Sequence, residues 1–217
     1  MLLDKKTLRS SLESCSVTYS EELYSKYDRF ARMMLEFNQN VNITRITDPD
    51  EIVVKHIEDS LRLLNYIYIR KSENYLDIGT GGGVPALPLL IAKPELKGLL
   101  VDSTAKKLVF AESVCKELDL NAETMHIRAE TLGKMPEYGK KFDLITVRAV
   151  AKLDVITAYA APLLAEGGVF AAYKGSISSE EKAAGIETAA KKGLKKPEFT
   201  DYELTNGDKR TLVLIKK

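Results

Sequence analysis

The 217-residue sequence has no tryptophan, two cysteines and two histidines. Cys15 and Cys115 are too few for a disulfide framework or a Cys-rich zinc site. His56 and His126 stand far apart in the chain, so a metal centre built on His and Cys is not expected. An excess of charge is also missing: 32 Lys+Arg against 31 Asp+Glu leave a formal net charge of +1. Global charge therefore points to no nucleic-acid partner. Long hydrophobic runs are absent too. The longest, Val84 to Ala92, is broken by Pro85 and Pro88 and is too short to span a bilayer. Met1 to Ser14 is polar and charged, without the apolar core of a secretory signal. No membrane association is expected, and the cytoplasm is the default location. What is present is ordinary for a soluble globular protein: 45% hydrophobic and 29% charged residues. The length suits one α/β domain, or one domain with a small appendage.

The chain divides near Ser72, giving a helical extension over 1–71 and an α/β domain over 72–217. In the first part Leu23, Tyr27, Phe30, Met34 and Phe37 recur at spacings of three and four, one face of a helix. Ser20 is its expected N-cap, with Glu21 and Glu22 in the first turn. A second helix is expected after Asp48-Pro49, with Ile52, Val53, Ile57, Leu61, Leu64 and Ile67 on its apolar face. The link 38–47, rich in Asn and Thr, reads as a loop. In the second part strands alternate with helices. Strands are expected at 74–78, 96–101, 123–128, 142–147 and 168–173, and helices at 104–118, 153–164 and 178–192. A closing hairpin of 199–204 and 211–215 turns near Asn206-Gly207. This pattern predicts a largely parallel sheet covered on both faces, with an antiparallel element at one edge.

The densest signal is Leu76-Asp77-Ile78-Gly79-Thr80-Gly81-Gly82-Gly83-Val84, glycines between a strand and an apolar helical segment. A dinucleotide fingerprint would need a glycine at its sixth position, where Val84 stands, and leaves Asp77 unexplained. The pattern resembles motif I of class I S-adenosylmethionine (SAM) methyltransferases instead. In that resemblance an acidic residue before Gly-x-Gly-x-Gly meets the methionine ammonium. Asp102, one βα unit later, is placed to take both ribose hydroxyls; its ordinary alternative is a helix N-cap. Ala129-Glu130 follows the third strand, where the adenine amino group would be met. Glu130 could equally favour a helix N-terminus. The regular placement of these groups at successive strand ends carries more weight than any one of them, because ligands bind at the carboxyl edge of such sheets.

Several further segments are more specific. Phe37-Asn38-Gln39-Asn40-Val41-Asn42-Ile43-Thr44, His56-Ile57-Glu58-Asp59-Ser60-Leu61, Arg128-Ala129-Glu130, Val147-Arg148-Ala149-Val150-Ala151, Lys174-Gly175 and the ending Lys209 to Lys217 together resemble one family over nearly the whole length. It is the bacterial 16S ribosomal RNA guanine-N7 methyltransferases (RsmG, or glucose-inhibited division protein B). Phe37 stands where that family usually has Trp, and Thr211 where it usually has His. The resemblance implies a class I fold, a Rossmann-like and mostly parallel seven-stranded sheet with an N-terminal helical extension. It implies SAM as cofactor, S-adenosylhomocysteine as product, and methylation of N7 of a guanosine in the 530 loop of 16S rRNA. It implies cofactor contacts from Gly79, Gly81, Val84, Asp102, Ser103, Thr104, Ala129, Glu130 and Arg148. Substrate contacts would come from Asn42, Arg45, His56 and Arg148. The expected partner is the small ribosomal subunit, met by a monomer without membrane or metal. Two alternatives stay open: a SAM-dependent methyltransferase of another substrate, and a non-catalytic ribosome-assembly factor on the same fold. N7 carries a lone pair and no proton, so the chemistry asks for neither a general base nor a nucleophilic cysteine.

Overall fold

The computed structural model describes residues 1–66 and 69–217. Near the N-terminus, Asp4 caps a helix that composition alone did not reveal, α1 (Lys5–Ser14), by accepting from Thr7 N at 2.8 Å. The next helix, α2 (Glu21–Asn38), starts where expected, with Ser20 Oγ accepting from Leu23 N at 3.1 Å. Tyr27, Phe30 and Met34 of its apolar face are fully buried, each large side chain contributing roughly 1.5–3 kcal/mol. Leu23 and Phe37 lie half-buried at its ends.

The helix after Asp48-Pro49, α3 (49–61), is not regular. It begins as an α-helix at Pro49–Ile52, widens to a π-helical turn at Val53–Glu58 and closes at Asp59–Leu61. Its expected apolar residues Ile52, Val53, Ile57, Leu61 and Leu64 are buried; Ile67 lies outside the described residues. A π turn inserts an extra residue per ring and rotates the rest of the helix about its axis. Both Glu58 and Asp59 are buried on this helix, and both find partners. Glu58 accepts from Ser11 Oγ, from the Arg62 guanidinium at 2.6 Å and from Thr205.

The second part is one seven-stranded sheet. Its strands are β1 (Asn74–Ile78), β2 (Lys97–Asp102), β3 (Ala122–His126), β4 (Phe142–Arg148), β5 (Leu164–Lys174), β6 (Glu198–Glu203) and β7 (Lys209–Lys216), in the order β3-β2-β1-β4-β5-β7-β6. β1 to β5 run parallel and β7 pairs antiparallel with both β5 and β6. The helices between them are α4 (Ala86–Ala92), α5 (Ala105–Glu117), α6 (Ala129–Leu132), α7 (Leu153–Ala160) and α8 (Ser179–Lys191). The sequence pattern places most boundaries within two residues. The exception lies between α7 and β5. The helix stops at Ala160, just before Pro162, whose missing N–H cannot continue it. β5 then starts four residues early, at Leu164. A bulge at Gly167-Gly168 absorbs the extra residues, since Phe142 pairs Leu164 but Leu144 pairs Val169.

Strand residues alternate between the two faces. Tyr75, Leu144, Val169, Leu212 and Leu214 join the core formed with α1 to α5, and Leu76, Ile145, Phe170, Val213 and Ile215 join the core under α6 to α8. The helices of 1–71 therefore share one continuous core with a face of the sheet. Among the described residues no helix is long and apolar enough to cross a membrane.

Candidate functional site

The chain leaves β1 towards β2 and β3, then crosses back to β4 on the other side. The carboxyl ends of β1 and β4 thus flank a topological switch point, where open α/β sheets form a crevice. The glycine loop begins there. Gly79 N and Thr80 N both donate to Val101 O, at 2.8 and 3.0 Å, fixing the exit of β1 to that of β2. Gly79 has φ +71°, and a Cβ there would lie 2.4 Å from Val150 Cγ2. Gly82 allows a second close approach: the Ile43 carbonyl from the 38–47 link sits where a Cβ would come within 3.1 Å of it. The N-terminal link therefore lies directly on the loop.

Asp77 and Thr146 are register partners on β1 and β4. The Tyr75 hydroxyl donates to Thr146 Oγ1, which donates to Asp77 Oδ1. Asp77 Oδ2 is buried with no hydrogen bond, and so is the Thr80 hydroxyl beside it. Burial pushes the Asp77 carboxyl up to about 7, against the Thr146 and Thr80 hydroxyls and the Arg148 charge, which lower it. Asp102 is buried at the end of β2. Its Oδ2 accepts from Gly81 N and its Oδ1 from Thr104 N, both at 2.8 Å. It serves the turn after its own strand and the glycine loop together. A carboxylate offers about four acceptor positions, so about two remain. Ser103 and Thr104 are exposed, while Ala129 and Glu130 open α6 half-buried.

A cavity of about 220 Å³ lies between these elements. Gly79, Thr80, Gly81, Gly82 and Val84 form its floor, Ile43 and Thr44 its roof, and His56, Arg148 and Ala149 its far wall. The structure thus brings together Gly79, Gly81, Val84, His56 and Arg148. Asp102, Ser103, Thr104, Ala129 and Glu130 stand outside this cavity, along the strand ends that lead away from it. Asn42 and Arg45 flank the roof and are exposed. Seven further lining residues are not among the contacts expected above: Met34, Ile43, Thr44, Thr80, Gly82, Lys107 and Ala149. Thr80 had a signal, its place inside the glycine run. Ala149 is a non-glycine residue at φ +56°, and such strain is concentrated at sites.

Arg148 ends β4, and its guanidinium has three protein partners. Nη1 donates to Lys55 O at 2.9 Å and to Asp59 Oδ2 at 3.0 Å; Nη2 donates to His56 Nδ1 at 3.0 Å. Arginine only donates, so His56 Nδ1 accepts, and the ring proton sits on Nε2, directed to Thr44 Oγ1 at 2.9 Å. Burial, and then the Arg148 charge, push His56 down to about 3, which keeps the imidazole neutral. Asp59 Oδ1 takes the Tyr202 hydroxyl, raising the Tyr202 pKa through burial and the Asp59 charge. Arg148 and Ala149 also line a second cavity of about 400 Å³, into which Lys55, Lys174 and Arg210 project.

The comparisons with known proteins agree with this architecture. A family described as rRNA small subunit methyltransferase G matches residues 23–212. The chain is 40% identical over 214 residues to the ribosomal RNA small subunit methyltransferase G of Desulfitobacterium hafniense (strain Y51), covering 96% of this chain and 87% of that protein. With the protein of the same description from Clostridium novyi (strain NT) it shares 34% over 212 residues, 97% of this chain and 87% of the other. Among solved structures, the O-methyltransferase of Bacillus cereus in complex with SAH superposes with a TM-score of 0.58 at 15% identity, over 87% of this chain and 91% of that one. The O-methyltransferase TomG of Streptomyces achromogenes in complex with SAM gives 0.58 at 19% identity, over 93% and 92%. At these identities the likeness is one of fold, the class I methyltransferase arrangement.

Proposed function

Because this chain belongs to the rRNA small subunit methyltransferase G family, we propose that it transfers the methyl group of SAM to N7 of a guanosine in the 530 loop of 16S rRNA. One observation carries the cofactor part: the buried Asp77 oxygen without a hydrogen bond beside the glycine loop that lines the cavity. A buried polar atom left unpaired costs about 1–3 kcal/mol, and the methionine ammonium, reached directly or through water, would satisfy it. Asp102 would offer its remaining acceptor positions to the ribose hydroxyls, flanked by Ser103 and Thr104, and Ala129-Glu130 would meet the adenine. The 220 Å³ cavity is below the roughly 300 Å³ at which small-molecule pockets begin. It would hold one end of the cofactor, the rest following the strand ends toward β3.

The cofactor supplies an electrophilic methyl carbon. The lone pair of guanine N7 would take that carbon while the carbon–sulfur bond breaks, leaving S-adenosylhomocysteine, and no proton would need removal. What this chain contributes is orientation, which supplies about 7–11 kcal/mol in favourable cases. Its thiols have no part: burial pushes Cys15 and Cys115 up to about 11. Arg148 stands between the two cavities and would contact the methionine carboxylate or an RNA phosphate. Lys55, Lys174 and Arg210 of the second cavity are ion-paired with Glu51, Glu181 and Asp208; with Asn42 and Arg45 on the roof, they would meet an RNA strand entering on this side by exchanging those partners for phosphates.

The test is methyl-labelled SAM with small subunits from a strain lacking the protein. Label recovered as 7-methylguanosine at one position in the 530 loop is the expected result. Label elsewhere would reassign the substrate. SAM binding without transfer to any ribosomal form would leave a non-catalytic assembly factor. Affinity for RNA should fall with salt, the log–log slope growing by about 0.7–0.9 per phosphate contact.

A further inference from the structure

The π-helical turn of α3 brings three acceptors to one guanidinium. In a regular α-helix the Lys55 carbonyl would take the N–H of residue 59, four positions on. Here Asp59 N–H reaches back five positions to Val54 O, and the Lys55 carbonyl accepts from Arg148 instead. The same turn sets His56 Nδ1 and Asp59 Oδ2 against the other protons of that side chain. Two of the three are braced from behind. His56 Nε2 is tied to Thr44 on the roof, and Asp59 Oδ1 to the Tyr202 hydroxyl from β6, 143 residues away.

We infer that this turn is a positioning clamp for Arg148, with His56 and Asp59 as positioning residues. The inference rests on Arg148 being a residue that touches cofactor or substrate. Of the five guanidinium donors, three are committed to the clamp. Nε–H and one Nη2 proton remain, on a side chain that lines both cavities at their junction. An arginine on a free stem loses its rotamer freedom when it meets a ligand. One already held in place does not, and that preorganisation favours binding and alignment. A mere staple between α3 and the sheet would need one ion pair; three acceptors of different kinds fix the plane of the group as well as its position.

The test uses the full chain, labelled SAM and small subunits, comparing Arg148→Ala, His56→Gln, His56→Asn, Asp59→Asn and the doubles with Arg148→Ala. His56→Gln keeps a polar group toward Thr44 but loses the acceptor at Nδ1; His56→Asn places an oxygen near Nδ1. The expected result is a loss of about 100-fold in kcat/KM for His56→Gln and Asp59→Asn, and substantial recovery in His56→Asn. In the Arg148→Ala background neither should cause further loss, because the residues act as one unit. Losses that multiply with Arg148→Ala would overturn the clamp while leaving the proposed reaction standing. An Arg148→Ala variant with unchanged turnover and cofactor affinity would overturn the role of Arg148, and the clamp with it. Should Asp59→Asn fail to fold, imidazole 15N spectra of the wild type still decide. The clamp requires a neutral Nε2–H ring between about pH 5 and 8, its Nδ1 resonance moved in Arg148→Ala. A ring protonated on Nδ1 would refute it.

Discussion

Two buried carboxylates at neighbouring places in this fold have opposite surroundings. Asp59, where α3 meets the sheet, has a donor on each oxygen: one takes the Tyr202 hydroxyl, and the other the Arg148 guanidinium, with Arg210 at 3.9 Å. Asp77, at the end of β1, has the Thr146 hydroxyl on one oxygen and only the neighbouring Thr80 hydroxyl, outside hydrogen-bond geometry, near the other, with no cation within ion-pair distance among the described residues. A carboxylate whose acceptors are filled by the protein holds elements together. One left short of donors beside a glycine loop is the contact proposed above for the cofactor. Residue type and burial are the same in both; the donors around them differ.

That contrast can be broken by experiment. The largest effect is expected at the joint. Asp59→Ala strands the Arg148 charge in a mostly buried place, costing about 3 kcal/mol or more, a fall in Tm of roughly 6–12 °C for a chain of this size. A Tm within two degrees of wild type by calorimetry would mean, by about the same scaling, that Asp59 is not a joint. At the site the loss should appear in binding instead. Asp77→Asn is expected to weaken cofactor affinity roughly 10- to 100-fold, the worth of a charged hydrogen bond, while Tm holds. Titration calorimetry reporting unchanged affinity with a lowered Tm would reverse the assignment.

The pH dependence of stability tests the same carboxyl a second way. The folded Asp77 carboxyl is raised to about 7 from 3.8, so its contribution is present below pH 3.8 and lost as pH rises through 7. His56 is lowered to about 3 from 6.5; its contribution is present above pH 6.5 and lost as pH falls toward 3. The two oppose each other between these values. Asp77→Asn removes the falling component, so unfolding free energy should climb more steeply from pH 4 to 7 in the variant than in wild type, by up to about 1.4 kcal/mol per pH unit. Parallel urea-denaturation profiles for the two proteins would show that Asp77 does not titrate in this window. The smallest change is expected at Cys115, buried in α5 with its thiol pushed up to about 11. Cys115→Ser should leave turnover within about twofold of wild type, since orientation rather than a thiolate carries the transfer. A tenfold loss with Tm retained would point to a covalent step.

Much of this molecule is written in local pattern. Periods of 3.6 and 2 locate α2 and the strands because each element must bury one face. Ser20 and Asp48 mark helix starts because their oxygens satisfy orphan N–H groups. The glycine loop, Asp77 and the acidic strand ends are legible because a parallel sheet delivers successive strand ends to one edge. α1 escaped because a short polar helix shows its buried face, Leu8 and Leu12, only once something lies against it. The π turn escaped because no residue pattern encodes where a helix will give up one hydrogen bond to another partner.

The sequence by itself determined the fold class, the glycine loop and the line of carboxylates at the sheet edge, since these depend on residue type and short spacing. Only the tertiary structure decided that His56 and Asp59 meet Arg148 across 92 and 89 residues, that Ile43 and Thr44 rather than Asn42 and Arg45 line the cavity, and that both Asp59 oxygens have donors while one of Asp77 has none in hydrogen-bond geometry. Those outcomes depend on how helix faces settle on the sheet. Hydrogen-bond saturation belongs to the packed arrangement and not to any stretch of chain.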